Sequence, residues 1–152
     1  MMLDVFQKHL DDVSETLMTD DFDRYMTMVA VPLVVITEKA TTIVSTTEQF
    51  RFGFESYAGM LRTEKATDLI RLAHSVTEYG PHLITGKLET HILRSGQRIY
   101  GPFQSSMSLR REGDHWLINS VVSPVHVEKW PINVQPESDG SWTVGPLPWD
   151  HE

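Results

Sequence analysis

Three residues have side chains that could carry out acid–base chemistry in an apolar site. His74 lies within the apolar strand pattern "LIRLAHSV", and an imidazole titrates close to neutral pH. Tyr25 and Tyr57 lie on the apolar stripes of predicted helices, where a hydroxyl can point toward a ligand or toward His74. We predict a catalytic group in which His74 is the base and Tyr25 or Tyr57 is the polarising donor. The alternative is that all three pack in the core with satisfied hydrogen bonds.

The two tyrosines depend on helices in the first part of the chain. Apolar residues at steps of three and four predict a first amphipathic helix, with one face formed by Leu3, Phe6, Leu10, Val13 and Leu17. A short second helix, capped by Asp20 or Asp21, carries Tyr25. Thr46 and Gln49 match a capping box, which predicts a third helix with one face formed by Phe50, Phe54, Tyr57 and Leu61. Between the second and third helices, "PLVVIT" and "TTIVS" predict two short strands.

His74 depends on the strands that follow. From residue 68 onward the apolar period is two, which predicts four long antiparallel strands. Ser95-Gly96 and Gly113-Asp114 are predicted two-residue turns, and a three-residue loop is predicted at 80–82. Helices followed by long antiparallel strands indicate an α+β fold, in which the helices cover one face of the sheet.

The register set by these turns predicts which residues line the apolar, concave face of the sheet. It places His74 opposite Leu88, Leu88 opposite Phe103, and Met107 opposite Ser120. The residues that we predict to bind a ligand on or above this face are Phe54, Gly86, Leu88, Thr90, Phe103, Ser105 and Ser120.

Glycines and the placement of acids further define this face. Gly86 and Gly101 leave shallow places in the wall, and each of these admits either a ligand or a neighbouring helix. Glu89 alternates outward with Lys87 and His91, so no carboxylate lies well inside the face. Proton abstraction by a buried carboxylate is therefore disfavoured.

Length and composition exclude several classes of protein. The 152 residues fit one domain, predicted over 1–132, with a C-terminal extension at 133–152 packed on it. The chain has no cysteine, no phosphate-binding loop and no helical histidine pair, so we predict no metal and no cofactor. A net charge of −8 disfavours nucleic-acid binding, and no apolar run approaches the roughly 20 residues that span a membrane. We predict a cytoplasmic protein.

The order of elements resembles the nuclear transport factor 2-like superfamily, and its SnoaL-like branch in particular. The resemblance rests on the first helix, on "DDFDRYM", on "TTEQF…FESYAGML" and on the hairpin ladder from "LIRLAHSV" to "WLINSVV". It implies a curved antiparallel sheet wrapped around N-terminal helices, forming a cone whose open end often holds a small apolar molecule. Members include ketosteroid isomerase, scytalone dehydratase, polyketide cyclases and epoxide hydrolases. Other members are non-catalytic, and dimers built on the outer sheet face are common.

The resemblance and the residues together lead to two functional hypotheses. The first is a protein that binds a small apolar or aromatic molecule, as a cofactor-independent isomerase, cyclase or dehydratase with His-Tyr chemistry. The alternative is a non-catalytic, dimeric binding or assembly module whose cone is filled by its own side chains. A homodimer interface is predicted on the outer sheet face, with Tyr100, Gln104, Leu117, Val121 and Val125.

Overall fold

The computed structural model describes residues 1–37 and 40–123, together with two strands at 134–136 and 142–144. Within this part of the chain the helices are α1 (Met2–Thr19), α2 (Phe22–Met26) and α3 (Thr47–Thr63). The main sheet contains β1 (Val29–Thr37), β2 (Thr41–Val44), β3 (Asp68–Glu78), β4 (Leu83–Arg94), β5 (Gln97–Glu112) and β6 (His115–Ser123). Its order is β2-β1-β6-β5-β4-β3, and only β1 and β6 pair in parallel. The predicted α+β fold, a curved sheet with N-terminal helices, is confirmed.

The helices begin and end where the local chemistry of the sequence favours it. Thr46 and Gln49 form the predicted capping box: the Thr46 hydroxyl accepts from the Gln49 backbone N–H at 3.1 Å, and the Gln49 side chain accepts from the Thr46 N–H at 3.1 Å. The Asp21 carboxylate caps α2 by accepting from the Arg24 N–H at 3.2 Å. Helix α1 ends at Thr19, because the next residue, Asp20, has a left-handed φ of 57°.

The core lies between the helices and the concave face of the sheet. Its most deeply buried large side chains include Phe6 and Leu10 of α1, with Ile84, Leu88, Ile92 and Leu109 of the sheet. The ring of Phe6 lies directly on Gly86, where an added Cβ would be 2.3 Å from the Phe6 Cε2 atom. The absence of a side chain at Gly86 therefore admits helix α1, which is the second of the two alternatives for this glycine.

Two side chains of α1 form hydrogen bonds to the backbone of other elements, one to β3 and one to the residue before β1. The Gln7 amide donates to the Arg71 carbonyl at 2.6 Å and accepts from the Ala73 N–H at 2.8 Å, so it bonds the free edge of β3. The Nε2 N–H of His9 donates to the Met28 carbonyl at 3.1 Å. Burial lowers the pKa of His9, so at neutral pH the ring is uncharged and serves as a hydrogen-bond donor between α1 and the start of β1.

The turn at 95–96 is confirmed, since Arg94 pairs with Gln97, but the register beyond it differs from the prediction. The register shifts at two points between Thr90 and Leu93, and beyond them Leu88 pairs with Ser105 rather than with Phe103. Gly101 lies in this irregular region, with a φ of 102° and its α-carbon close to the Thr90 carbonyl. Because the displacement is by two residues, the side chains beyond it keep their predicted faces.

The turn at 113–114 is also confirmed, with Glu112 paired to His115. Between Leu109 and Ser108 the register then shifts by one residue, so Met107 pairs with Val121 and not with Ser120. A displacement by one residue reverses the faces. The prediction that Ser120 lies on the concave face is therefore wrong, and Val121 lies there instead.

The C-terminal extension contains two short strands, β7 (Val134–Pro136) and β8 (Trp142–Val144), which pair antiparallel as a separate hairpin. The rest of the extension lies outside the described residues, and so does Val125 of the predicted interface. The division into a domain at 1–132 and an extension at 133–152 that packs on it stays a prediction.

Candidate functional site

A bulge at His74 decides which residues of β3 face the helices. The loop at 80–82 is formed as predicted, since Glu78 pairs with Ile84, but the register shifts between Ala73 and Ser75. His74 is the extra residue, and Ala73 rather than His74 pairs with Leu88. Toward the start of β3 the faces are therefore reversed: Leu69, Arg71 and Ala73 point inward, and Ile70 and Leu72 point outward.

The predicted placement of His74 on the concave face is wrong. Its side chain is exposed on the outer face, where Nε2 lies 3.3 Å from an oxygen of Glu89. Glu89 also accepts a hydrogen bond from Gln104 at 2.8 Å and one from His91. These hydrogen bonds, first that of Gln104 and then that of His91, lower the pKa of Glu89. His74 therefore belongs to an exposed polar cluster and cannot act as a base within the cone.

One of the three residues that the bulge turns inward is Arg71, which the sequence analysis did not single out. Arg71 pairs with Thr90 on β4, and Thr90 pairs with Phe103 on β5, so the three side chains form one row across the concave face. Thr90 and Phe103, two of the predicted ligand-lining residues, are buried, whereas Arg71 is half-buried. Its Nε atom is buried and has no hydrogen-bond partner among the described residues.

Aromatic side chains from α2 and α3 lie near Arg71, on the helix side of this row. The Tyr25 ring lies 5.0 Å from the Phe54 ring, and Phe54 in turn lies 5.4 Å from Phe22. The Arg71 guanidinium carbon is 5.4 Å from the centre of the Tyr57 ring, within the range of a cation–π contact. Burial raises the pKa of Tyr25, and the positive charge of Arg71 acts in the opposite direction. Helices and sheet thus bring Tyr25, Tyr57 and Arg71 to one place.

Comparisons with known proteins identify the fold. No family model matches the chain, and no curated protein matches it either. A nuclear transport factor 2-like protein of unknown function from Shewanella oneidensis is similar in structure, with a TM-score of 0.62 and 13% identity over 82% of this chain and 100% of that one. A protein of unknown function with a cystatin-like fold from Nostoc punctiforme has a TM-score of 0.59 and 14% identity, over 83% and 93%. A nuclear transport factor 2-like protein of unknown function from Pseudomonas putida has a TM-score of 0.58 and 11% identity, over 82% and 87%.

The chain has the nuclear transport factor 2-like fold. The superfamily resemblance is therefore confirmed at the level of fold, and the assignment to the SnoaL-like branch stays a prediction. None of the helices among the described residues is long and apolar enough to cross a membrane.

Within this nuclear transport factor 2-like cone, the other predicted ligand-lining residues have different surroundings. Phe54 is buried and packs in the aromatic group already described. Leu88 is fully buried in the core, and the space over Gly86 is filled by Phe6. Ser105 faces inward beside Leu88 and is half-buried. The space near Gly86 is therefore filled by α1, whereas Arg71 and Ser105 on the same face are half-buried.

The outer face of the cone also differs from its prediction. Tyr100 pairs with the buried Ile92 and donates its hydroxyl to Glu64 at the end of α3, at 2.6 Å, so it points toward the helices. Burial and the neighbouring Glu64 raise the pKa of Tyr100. The placement of Tyr100 and Val121 on the outer face is therefore wrong. The exposed large apolar side chains on this face include Ile70, Leu72 and Val122.

Two observations on the described residues argue against a metal site and against a buried acid–base centre. The Glu89 carboxylate separates the imidazoles of His74 and His91, and no group of three metal-ligating side chains converges within the described residues. The buried polar residues among those described are serine and threonine, and no aspartate or glutamate is among them. Beside the tyrosines, the polar side chains of the concave face include those of Thr90 and Arg71.

Proposed function

We propose that this protein binds a small, mostly apolar aromatic molecule in its cone, between helices α2 and α3 and strands β3 to β5. The observation that carries the proposal is that Tyr25 and Tyr57 pack on the core yet remain half-buried. A ring placed against them would remove further apolar surface from water, at about 25 cal/mol per Å². Such sites typically combine apolar walls with a few polar groups that fix orientation.

The polar groups of this site favour binding over proton abstraction. Since burial raises the pKa of Tyr25, its hydroxyl stays protonated at neutral pH and can donate a hydrogen bond to a ligand oxygen. We assign Tyr25 and Tyr57 a role in binding and orientation. With His74 on the outer face, it cannot pair with Tyr25 or Tyr57 as the base of a dehydratase-like mechanism.

Blocking the concave face tests this function. We expect wild-type protein to enhance the fluorescence of the neutral apolar dye N-phenyl-1-naphthylamine on titration. Ser105→Trp should weaken that binding by tenfold or more, because the half-buried Ser105 faces inward and an indole would occupy the dye's place. The matched control is Ser106→Trp, since Ser106 is also half-buried but pairs with Val122 on the outer face. Circular dichroism melting of both variants verifies that they fold.

Equal loss of dye binding in the two tryptophan variants would contradict the proposed site. A wild-type protein that leaves the dye fluorescence unchanged would contradict the proposed function itself.

A second proposal concerns assembly, and it is compatible with the first. Leu72 and Ile70 are 44% and 37% exposed on the outer face of β3, although they are large apolar residues. Exposed apolar groups on a sheet face are typical of subunit interfaces. We propose that the protein forms a homodimer and that the outer face of the sheet is its interface.

Sedimentation velocity at micromolar concentration tests the dimer. We expect the wild type to sediment as a dimer and Leu72→Lys to sediment as a monomer, because a buried ammonium without a partner disfavours association. The control is Lys87→Gln, which changes the charge on the same face without placing a charge on an apolar residue. A wild-type monomer, or a dimer that survives Leu72→Lys unchanged, would rule out this interface.

A further inference from the structure

We propose that the molecule bound in the cone carries a carboxylate, and that Arg71 holds it. This inference rests on the proposed function, since it names the chemical class of the ligand for the same site. The class is an aromatic monocarboxylate, with its ring against the tyrosines and its charged group against the guanidinium.

The first support is the fixed position of Arg71. The bulge at His74 turns its side chain inward, and pairing with Thr90 sets its place in the row on the concave face. The Gln7 side chain donates a hydrogen bond to the Arg71 carbonyl and accepts one from the Ala73 N–H, along the outer edge of β3. The guanidinium is thus presented by a strand segment whose backbone is hydrogen-bonded along both edges, which favours a preorganised binding group.

The second support is that Arg71 has no counterion among the described residues. No carboxylate of those residues lies within 4.0 Å of its nitrogens, whereas Arg24, Arg51 and Arg62 each form an ion pair. Within the described part of the chain its buried Nε has no hydrogen-bond partner, and its guanidinium lies against the Tyr57 ring. A buried donor without an acceptor is unfavourable, and a guanidinium matches a carboxylate with two parallel hydrogen bonds.

The third support is the local surroundings of the guanidinium. Its neighbours on the concave face are Thr90 opposite it, Ala73 and Leu88 in the row on one side, and Leu69 and Ile92 in the row on the other. Apart from the Thr90 hydroxyl these side chains are apolar, and Tyr25 and Tyr57 provide aromatic faces on the helix side, so a charged hydrogen bond formed there is stronger than in water. The chain as a whole carries a net charge of −8, so attraction for an anion must be local to Arg71.

The experiment compares two probes of the same shape by isothermal titration calorimetry. The probes are 2-naphthoate and the neutral 2-naphthalenemethanol. We expect wild-type protein to bind 2-naphthoate more tightly, by roughly tenfold or more, from the charged hydrogen bonds. Arg71→Met, which keeps much of the apolar stem, should weaken 2-naphthoate binding by roughly ten- to a hundredfold and leave the alcohol within about twofold. Arg71→Lys should restore part of the difference, since it keeps the charge without the paired donors.

Stability measurements separate ligand binding from a structural role. If Arg71 is paired only when a ligand is bound, the ligand-free Arg71→Met variant should have a urea midpoint no lower than that of the wild type, because the substitution removes an uncompensated charge. The control is Arg98→Met, an exposed arginine of β5, which should change neither affinity. Arg71→Lys carries the test if the methionine variant does not fold.

The outcomes distinguish this inference from the proposed function. If neither probe binds, the proposed function fails. If both probes bind equally and Arg71→Met changes neither, the function stands and the carboxylate assignment is wrong. The assignment is also overturned if Arg71→Met lowers the urea midpoint and weakens both probes alike, because the arginine would then be structural.

Discussion

Gly86→Ala is expected to lower the free energy of unfolding by about 1–3 kcal/mol, as overpacking in a filled core does. The added Cβ would lie 2.3 Å from Cε2 of Phe6, and Phe6 is a fully buried ring that cannot move into solvent. Urea denaturation followed by tryptophan fluorescence measures the change. An unchanged midpoint would mean that α1 does not pack on Gly86 in solution.

A double-mutant cycle identifies Phe6 as the cause. Phe6→Ala alone is expected to cost about 3–5 kcal/mol, because it leaves a cavity over Gly86. In the Phe6→Ala background, Gly86→Ala should be close to neutral, since the methyl group then enters empty space. Additive costs would show that the two residues do not interact.

Gly101→Ala is expected to destabilise the protein by at least about 2 kcal/mol, from strained backbone and from steric overlap. Gly101 has a φ of 102°, a conformation that residues with a Cβ rarely adopt. The added Cβ would also lie 2.5 Å from the Thr90 carbonyl oxygen, which is backbone and cannot rotate away. Thermal unfolding followed by circular dichroism measures the loss, and binding of 2-naphthoate should weaken too, because Thr90 adjoins Arg71.

The matched control is another glycine with open surroundings. Gly53 lies within α3, and an added Cβ there would meet nothing within 4 Å. Gly53→Ala should therefore stabilise the protein by about 0.5–1 kcal/mol, the difference in helix propensity. Effects of the same sign in both variants would contradict the account of Gly101.

Local chemistry made much of the fold predictable. The capping box at Thr46 and Gln49 and the turn at 95–96 were assigned correctly, because each depends on residues close in sequence. Alternating apolar residues likewise identified the long strands. These signals are enough to define an α+β cone with its helices on one side.

The candidate site was only partly predictable, because a β-bulge shifts the strand register and so changes which residues face inward. A single extra residue at His74 exchanged the faces of the first half of β3, so Ala73 took the inward place assigned to His74 and Arg71 turned inward as well. Both sets of alternating residues, Ile70 with Leu72 and Leu69 with Ala73, are apolar enough to face a core. Tyr25 and Tyr57 were placed correctly beside the concave face, because helix periodicity does not depend on strand pairing.

The hydrogen bonds of Gln7 have a consequence for whether another strand can pair with the edge of the sheet. Strand β3 is the last strand of the sheet, and an exposed strand edge is a template for another polypeptide. The Gln7 side-chain amide hydrogen-bonds to the Arg71 carbonyl and the Ala73 N–H, so these two backbone groups cannot pair with a strand of another molecule. Fibril-like addition of a second molecule at this edge would first require α1 to detach.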